Sequence, residues 1–199
     1  MMVPFVVPRA SASEDDLMRI VLAGDSHLAY VRRDLPRIGD DVLNLAVGGA
    51  VVTDVLRQLT TTPLGPGLGL DVGAQLGADD VVVVSVGTND AAPLPGVELD
   101  EFESSLDELV AQLHPAFWVF LAPPGVESTR IDPVRRSNHT IAHYAAAGAA
   151  RLGPPRGRVV DSPTLLAPLG HAAFAGDGVH LSGAGYDVLL PAVAEACRP

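Results

Sequence analysis

Short runs of unbroken apolar residues alternate along the chain with longer stretches in which apolar residues recur every three or four positions. The runs 19–24 (RIVLAG), 42–46 (VLNLA), 80–86 (DVVVVSV), 116–122 (AFWVFLA) and 157–161 (GRVVD) predict strands. The four valines 81–84 show no polar alternation, which is the pattern of a strand covered on both faces. Helical spacing predicts helices at about 27–35, 52–60, 100–113, 133–152 and 182–196. In 100–113, Phe102, Leu106, Leu109, Val110 and Leu113 form one apolar stripe with acidic residues opposite. Strand and helix alternating in this way argue for an α/β domain, a parallel sheet with helices on both sides.

The breaks in the pattern are rich in Gly and Pro. The segment 60–78 (TTTPLGPGLGLDVGAQLGA) lacks both the Gly-x-Gly-x-x-Gly and the Gly-Lys-Ser/Thr patterns and does not follow a strand, so it reads as a surface loop. A second loop, 122–133, follows the fourth strand. Residues 1–18, interrupted by Pro4 and Pro8 and followed by acids, read as a flexible N-terminal segment, with no basic stretch to make a signal peptide. Residues 19–199 then form a single domain. At 199 residues and 48% hydrophobic, the chain is long enough to bury a core.

A net charge of −11, with scattered arginines and no lysine, argues against a nucleic-acid surface. No apolar run approaches the roughly 20 residues of a membrane span. The single cysteine, Cys197, permits no intrachain disulfide and agrees with a cytoplasmic location.

In an open parallel sheet, ligands bind beyond the carboxyl ends of the strands. Polar residues gather at those ends here. The first strand ends in Gly24-Asp25-Ser26, the second leads into Gly48-Gly49, the third into Gly87-Thr88-Asn89-Asp90, and a late segment, GDGVHLSGAGY, carries Asp177 and His180. Singly, each has a plain structural role: Asp25 or Ser26 as a helix cap, the Gly pair as a turn, Asn89 and Asp90 as loop chemistry. Together they supply what acyl transfer needs. Ser26 can attack, His180 can take and return the proton, and Asp177 can hold the other ring nitrogen. The N–H groups of Ser26 and Gly49, with the amide of Asn89, can form an oxyanion hole. A helix starting at Ser26 would add its dipole to the same end.

These four blocks, AGDSHLAY, NLAVGGAVVTD, VSVGTND and DGVHLSGAGY, resemble those of the SGNH hydrolase superfamily, also called GDSL esterases and lipases. The resemblance implies a three-layer α/β/α flavodoxin-like sandwich with a five-stranded parallel sheet. It places the catalytic residues at Ser26, Asp177 and His180 and the oxyanion donors at Ser26, Gly49 and Asn89. It implies a serine-dependent hydrolase of carboxylic esters or thioesters acting on a small-molecule substrate, with no cofactor. An O-acyltransferase passing the acyl group to a sugar or other alcohol is the alternative, and a catalytically silent binding module is a third reading. His27 departs from the family pattern, which usually has Leu or another apolar residue after Gly-Asp-Ser. Gly-Asp-Ser-His occurs in SGNH domains of some polysaccharide acyltransferases, but the expectation for His27 is a surface or helix N-terminal position. No metal is implied, because neither a His-Glu-x-x-His motif nor a cysteine cluster is present, and the Gly-x-Ser-x-Gly elbow is absent.

Overall fold

The computed structural model describes residues 18–60, 62–63, 69–70, 76–94, 96–132 and 134–199. The expected N-terminal segment, apart from Met18, lies outside these residues, as does much of 60–78. In the latter, Thr62–Pro63 pairs antiparallel with Gly69–Leu70. The main sheet has five parallel strands: β1 (Ile20–Gly24), β2 (Val42–Asn44), β3 (Val81–Ser85), β4 (Phe117–Leu121) and β5 (Gly157–Val160). Their order is β2-β1-β3-β4-β5, so the chain reverses its direction across the sheet between β1 and β3. That is the topological switch point where α/β folds bind ligands.

The unbroken apolar strands have cover on both sides. Val21, Ala23, Val82, Val84, Trp118 and Phe120 face a core shared with α2 (Val52–Thr60), α3 (Leu99–Gln112) and α4 (Asn138–Leu152). The alternate residues Ile20, Leu22, Val81, Val83, Val119 and Leu121 face a second core with α1 (Ser26–Ala29), α5 (Ser162–Leu166) and α6 (Gly183–Ala196). This is the expected three-layer arrangement. Of the α3 stripe, Phe102, Leu106, Leu109 and Leu113 are buried as the spacing requires.

Two helices differ from expectation. The one expected at 27–35 is only the four residues of α1, followed by a turn and a 3-10 turn at Leu35–Arg37; Pro36, which has no N–H to donate, lies in that 3-10 turn. The one expected from 133 starts at Asn138, where the Ser137 side chain accepts from the Thr140 N–H and caps it. Residues 162–173, outside every predicted helix, contain α5 and a 3-10 stretch, Ala167–Ala173. No helix among the described residues is long and apolar enough to cross a membrane.

In the sheet register Gly24 lies beside Ser85, and Ser85 beside Leu121. The three central strands therefore end level, and the loops after them share one rim.

Candidate active site

The segment bearing Ser26 leaves β1 through a turn that only glycine permits. Gly24 has φ +120°, and a Cβ there would lie 1.9 Å from the Ser85 carbonyl oxygen. Both backbone groups of Gly24 are held by one side chain: its N–H donates to Gln58 Oε1 at 2.6 Å, and Gln58 Nε2 donates to its carbonyl at 3.0 Å. Asp25, rather than Ser26, caps α1, its Oδ1 accepting from the His27 N–H at 3.0 Å. Ser26 is thus the first helical residue. With four residues α1 has little dipole to offer, so what it contributes is the Ser26 N–H itself. Among the described residues neither that N–H nor the Gly49 N–H has a protein acceptor. Gly49 has φ +82°, and a side chain there would meet nothing within 4 Å, so its backbone borders open space.

The loops after β2 and β3 are tied together. Asn89 Nδ2 donates to the Ala50 carbonyl at 3.0 Å, and Arg136 Nη2 donates to Asn89 Oδ1 at 3.1 Å. The second hydrogen on Nδ2 is left over. Asp90 accepts from the Val52 N–H and the Gly87 N–H, both at 2.7 Å, which pins the start of α2 to the end of β3. Burial pushes the Asp90 carboxyl up to about 6, even though those N–H groups favour its ionised form.

The last segment brings Asp177 and His180 together. Asp177 Oδ2 lies 2.6 Å from His180 Nδ1, and Oδ1 accepts the N–H groups of Val179 and His180 at 2.9 and 3.0 Å. Burial works against the charge of Asp177, but the bonds from the His180 ring and these N–H groups outweigh it and hold the carboxyl at about 2. The pair is open to solvent, with side chains 51% and 32% exposed. His180 Nε2 and Ser26 Oγ make no hydrogen bond to each other; catalytic bonds of this kind often tighten only with substrate.

Tyr30, at the end of the AGDSHLAY block, links the two halves. Its ring lies 5.0 Å from that of His180, centroid to centroid, and its hydroxyl lies 3.6 Å from the position of a Cβ on Gly48, which is itself 4.0 Å from Ser26 Cβ. Tyr30 also lines an open basin of about 480 Å³ with Arg32, Arg33, Asp34 and Gly48. Arg136 and Gln58 were not signalled by the sequence, since neither belongs to a recurring pattern, and Tyr30 ends the AGDSHLAY block without a role read for it. His27 corrects an expectation: it is at the helix N-terminus but is not at the surface, its ring being 1% exposed and set against Asp25. Among the described residues no group of three or more His, Cys, Asp or Glu side chains is placed to share a metal ion. In the loop after β4, Glu127 is engaged locally with both Thr129 and Arg130, and Arg130 with the Ala175 carbonyl at 2.9 Å.

Residues 14–188 match the model of the GDSL-like lipase/acylhydrolase family. No curated protein matches significantly. Among solved structures, a lipase/acylhydrolase from Enterococcus faecalis aligns over 89% of this chain and 94% of its own, with 20% identity and a TM-score of 0.70. The acetylxylan esterase Axe2 of Geobacillus stearothermophilus aligns over 90% of this chain and 94% of its own, with 25% identity and a TM-score of 0.67. Catalytic mutants of Axe2 have been solved at a serine, an aspartate and a histidine, the aspartate three positions before the histidine.

Proposed function

The chain belongs to the GDSL-like lipase/acylhydrolase family of ester-hydrolysing enzymes, and from that premise we propose that it cleaves carboxylic esters or thioesters through an acyl-enzyme on Ser26. The observation that carries this reading is the 2.6 Å contact of Asp177 with His180 Nδ1. It fixes the proton on Nδ1 and leaves Nε2 as the free base on the rim that bears Ser26. The three-residue spacing of the catalytic Asp and His in Axe2 supports the same assignment. Ser26 Oγ attacks the acyl carbon and its proton passes to His180 Nε2. The oxyanion is met by the Ser26 and Gly49 N–H groups, which have no acceptor among the described residues, and by the spare Asn89 Nδ2–H. The tetrahedral adduct collapses, His180 returns the proton to the leaving oxygen or sulfur, and water activated by His180 then releases the acid. The reading includes a cytoplasmic location, for which the lone cysteine, buried Cys197, is the support.

A fluorophosphonate probe should label Ser26, and a chain-length series of nitrophenyl esters should be turned over. Acetylated xylan belongs in the same series because a structural neighbour is an acetylxylan esterase. Product analysis with excess sugar or glycerol separates hydrolysis from transfer. Water at about 55 M competes unless an acceptor is held and solvent excluded, and free acid is expected as the main product. Predominant transfer at millimolar acceptor would replace the hydrolase with an acyltransferase, and absence of labelling would leave a binding module.

A further inference from the structure

His27 is the one side chain of the Gly-Asp-Ser-His segment that the chemistry above leaves without a role. Its ring is buried, and an oxygen stands at each nitrogen: Asp25 Oδ1 is 3.2 Å from Nδ1 and the Val179 carbonyl oxygen is 3.3 Å from Nε2. A neutral imidazole has one N–H, so in either tautomer a ring lone pair would point at one of these oxygens. Only the imidazolium donates to both. Asp25 makes the complementary demand. Its carboxylate is as buried as the ring, Oδ1 also accepts from Ser85 Oγ at 3.0 Å, and Oδ2 has no partner among the described residues. A buried carboxylate needs a positive neighbour, and His27 is the basic side chain in contact with it.

We propose that His27 is a positioning residue, held as an imidazolium between Asp25 and the Val179 carbonyl, that locks the loop bearing Asp177 and His180 onto the segment bearing Ser26. Val179 directly precedes His180, and its own N–H is held by Asp177. Fixing its carbonyl therefore fixes the peptide from which the His180 ring projects. The loop is braced internally, the Ala175 N–H donating to the His180 carbonyl at 2.7 Å, and it is tied to the far side by the Glu127 N–H to the Gly178 carbonyl at 2.8 Å and by Arg130 to the Ala175 carbonyl. His27 supplies the tie on the Ser26 side. The titratable groups around it are Asp25 and Tyr30 on its own segment, Asp177 and His180 on the last loop, Tyr186 on α6, and Arg136 before α4. The His180 ring centroid lies 6.5 Å away, and the Tyr186 hydroxyl donates to the His27 carbonyl at 3.2 Å. Burial favours loss of the ring proton and the charge of Arg136 adds to that. The charge and hydrogen bond of Asp25, with the Val179 carbonyl, outweigh both and hold His27 above the ordinary histidine value. Deprotonation at high pH removes one of the two bonds and frees the loop.

The kinetic part of this proposal rests on the acyl-enzyme reading; the protonation state does not. Nitrogen-resolved NMR of the imidazoles in the Ser26→Ala protein, with His27 assigned through its backbone, should show both of its ring nitrogens protonated at neutral pH. A single ring N–H overturns the proposal whatever the activity. In the active enzyme kcat should fall on the alkaline side. Asp25→Asn should move that fall to lower pH, because the group that holds the proton is gone. His27→Gln should abolish the fall and lower kcat about tenfold, with KM changed less than about twofold. An alkaline limb identical in wild type and both variants overturns the clamp. Activity retained by Ser26→Ala would instead remove the acyl-enzyme reading and leave the spectrum as the deciding result.

Discussion

Arg136 holds the oxygen end of the Asn89 side chain: Nη2 donates to Asn89 Oδ1 at 3.1 Å while Nε donates to the neighbouring Thr88 carbonyl at 3.2 Å. With Oδ1 turned to the guanidinium, Nδ2 must face the Ala50 carbonyl and the proposed oxyanion position. The charge-assisted bond also draws electron density from the amide and strengthens its N–H as a donor. Asn89→Ala is expected to lower kcat by roughly 10²–10³ with little change in KM. Arg136→Met, which keeps the stem and removes the charge, should lower kcat by about tenfold, again with KM steady. Steady-state hydrolysis of a short ester checks both; an Arg136→Met enzyme with unaltered kcat would show that Asn89 keeps its orientation unaided.

The proposed triad should behave as a unit. Ser26→Ala and His180→Ala are each expected to cost about 10⁴ or more in kcat. Asp177→Ala should be milder, because its carboxylate orients the ring without taking the proton. Circular dichroism on the same samples separates a chemical defect from a folding one. Normal turnover by Ser26→Ala would sink the mechanism.

Asp177 and Asp90 should act on stability in opposite directions with pH. The folded-state value of Asp177 is about 2, below its ordinary 3.8, so its contribution is present above the ordinary value and is lost as pH falls toward 2. The exposure of Asp177 keeps that contribution small. Asp90 is raised from 3.8 to about 6, so the folded chain binds the extra proton between those values. Its contribution is present below the lower value and is lost as pH rises through the upper one. Denaturant midpoints of Asp90→Ala and wild type across this range should show the wild-type advantage shrinking as pH rises. A constant difference would contradict the assignment.

Gly24→Ala tests the turn beneath the site. A methyl 1.9 Å from the Ser85 carbonyl, at φ +120°, cannot be accommodated without moving β1 or β3. A loss of more than about 3 kcal/mol is expected by chemical denaturation. Gly49→Ala, where a methyl would face open space, should be milder on the fold, at about 1–2 kcal/mol for its positive φ alone.

The sheet was legible in the sequence because two-sided burial leaves no polar position in β1 or β4 and only the terminal Ser85 in β3, and an unbroken apolar run is easy to see. The residues at the strand ends were legible for the converse reason, that polar groups crowd where apolar runs stop. What escaped was structure made by contacts between segments. α5 begins Asp161-Ser162-Pro163, a cap followed by proline in the first turn, yet Pro163, Pro168 and Gly170 together read as a loop. Arg136 fell inside an expected helix and gave no sign that it would meet Asn89, 47 positions earlier. The burial of His27 was invisible because a single polar ring beside Ser26 follows no period.

The positions of Asp177 and His180 along the chain have a consequence for synthesis. Ser26, Gly49 and Asn89 lie on β1, β2 and β3 or just after them, whereas the proposed base follows β5 and is exposed at the rim. Translation runs from the N-terminus, and chains emerge at about 5–20 residues per second. A growing chain therefore completes the segments proposed to carry the nucleophile and the oxyanion donors several seconds before residue 180 exists. On that mechanism Ser26 stays without its general base until the end of synthesis is near.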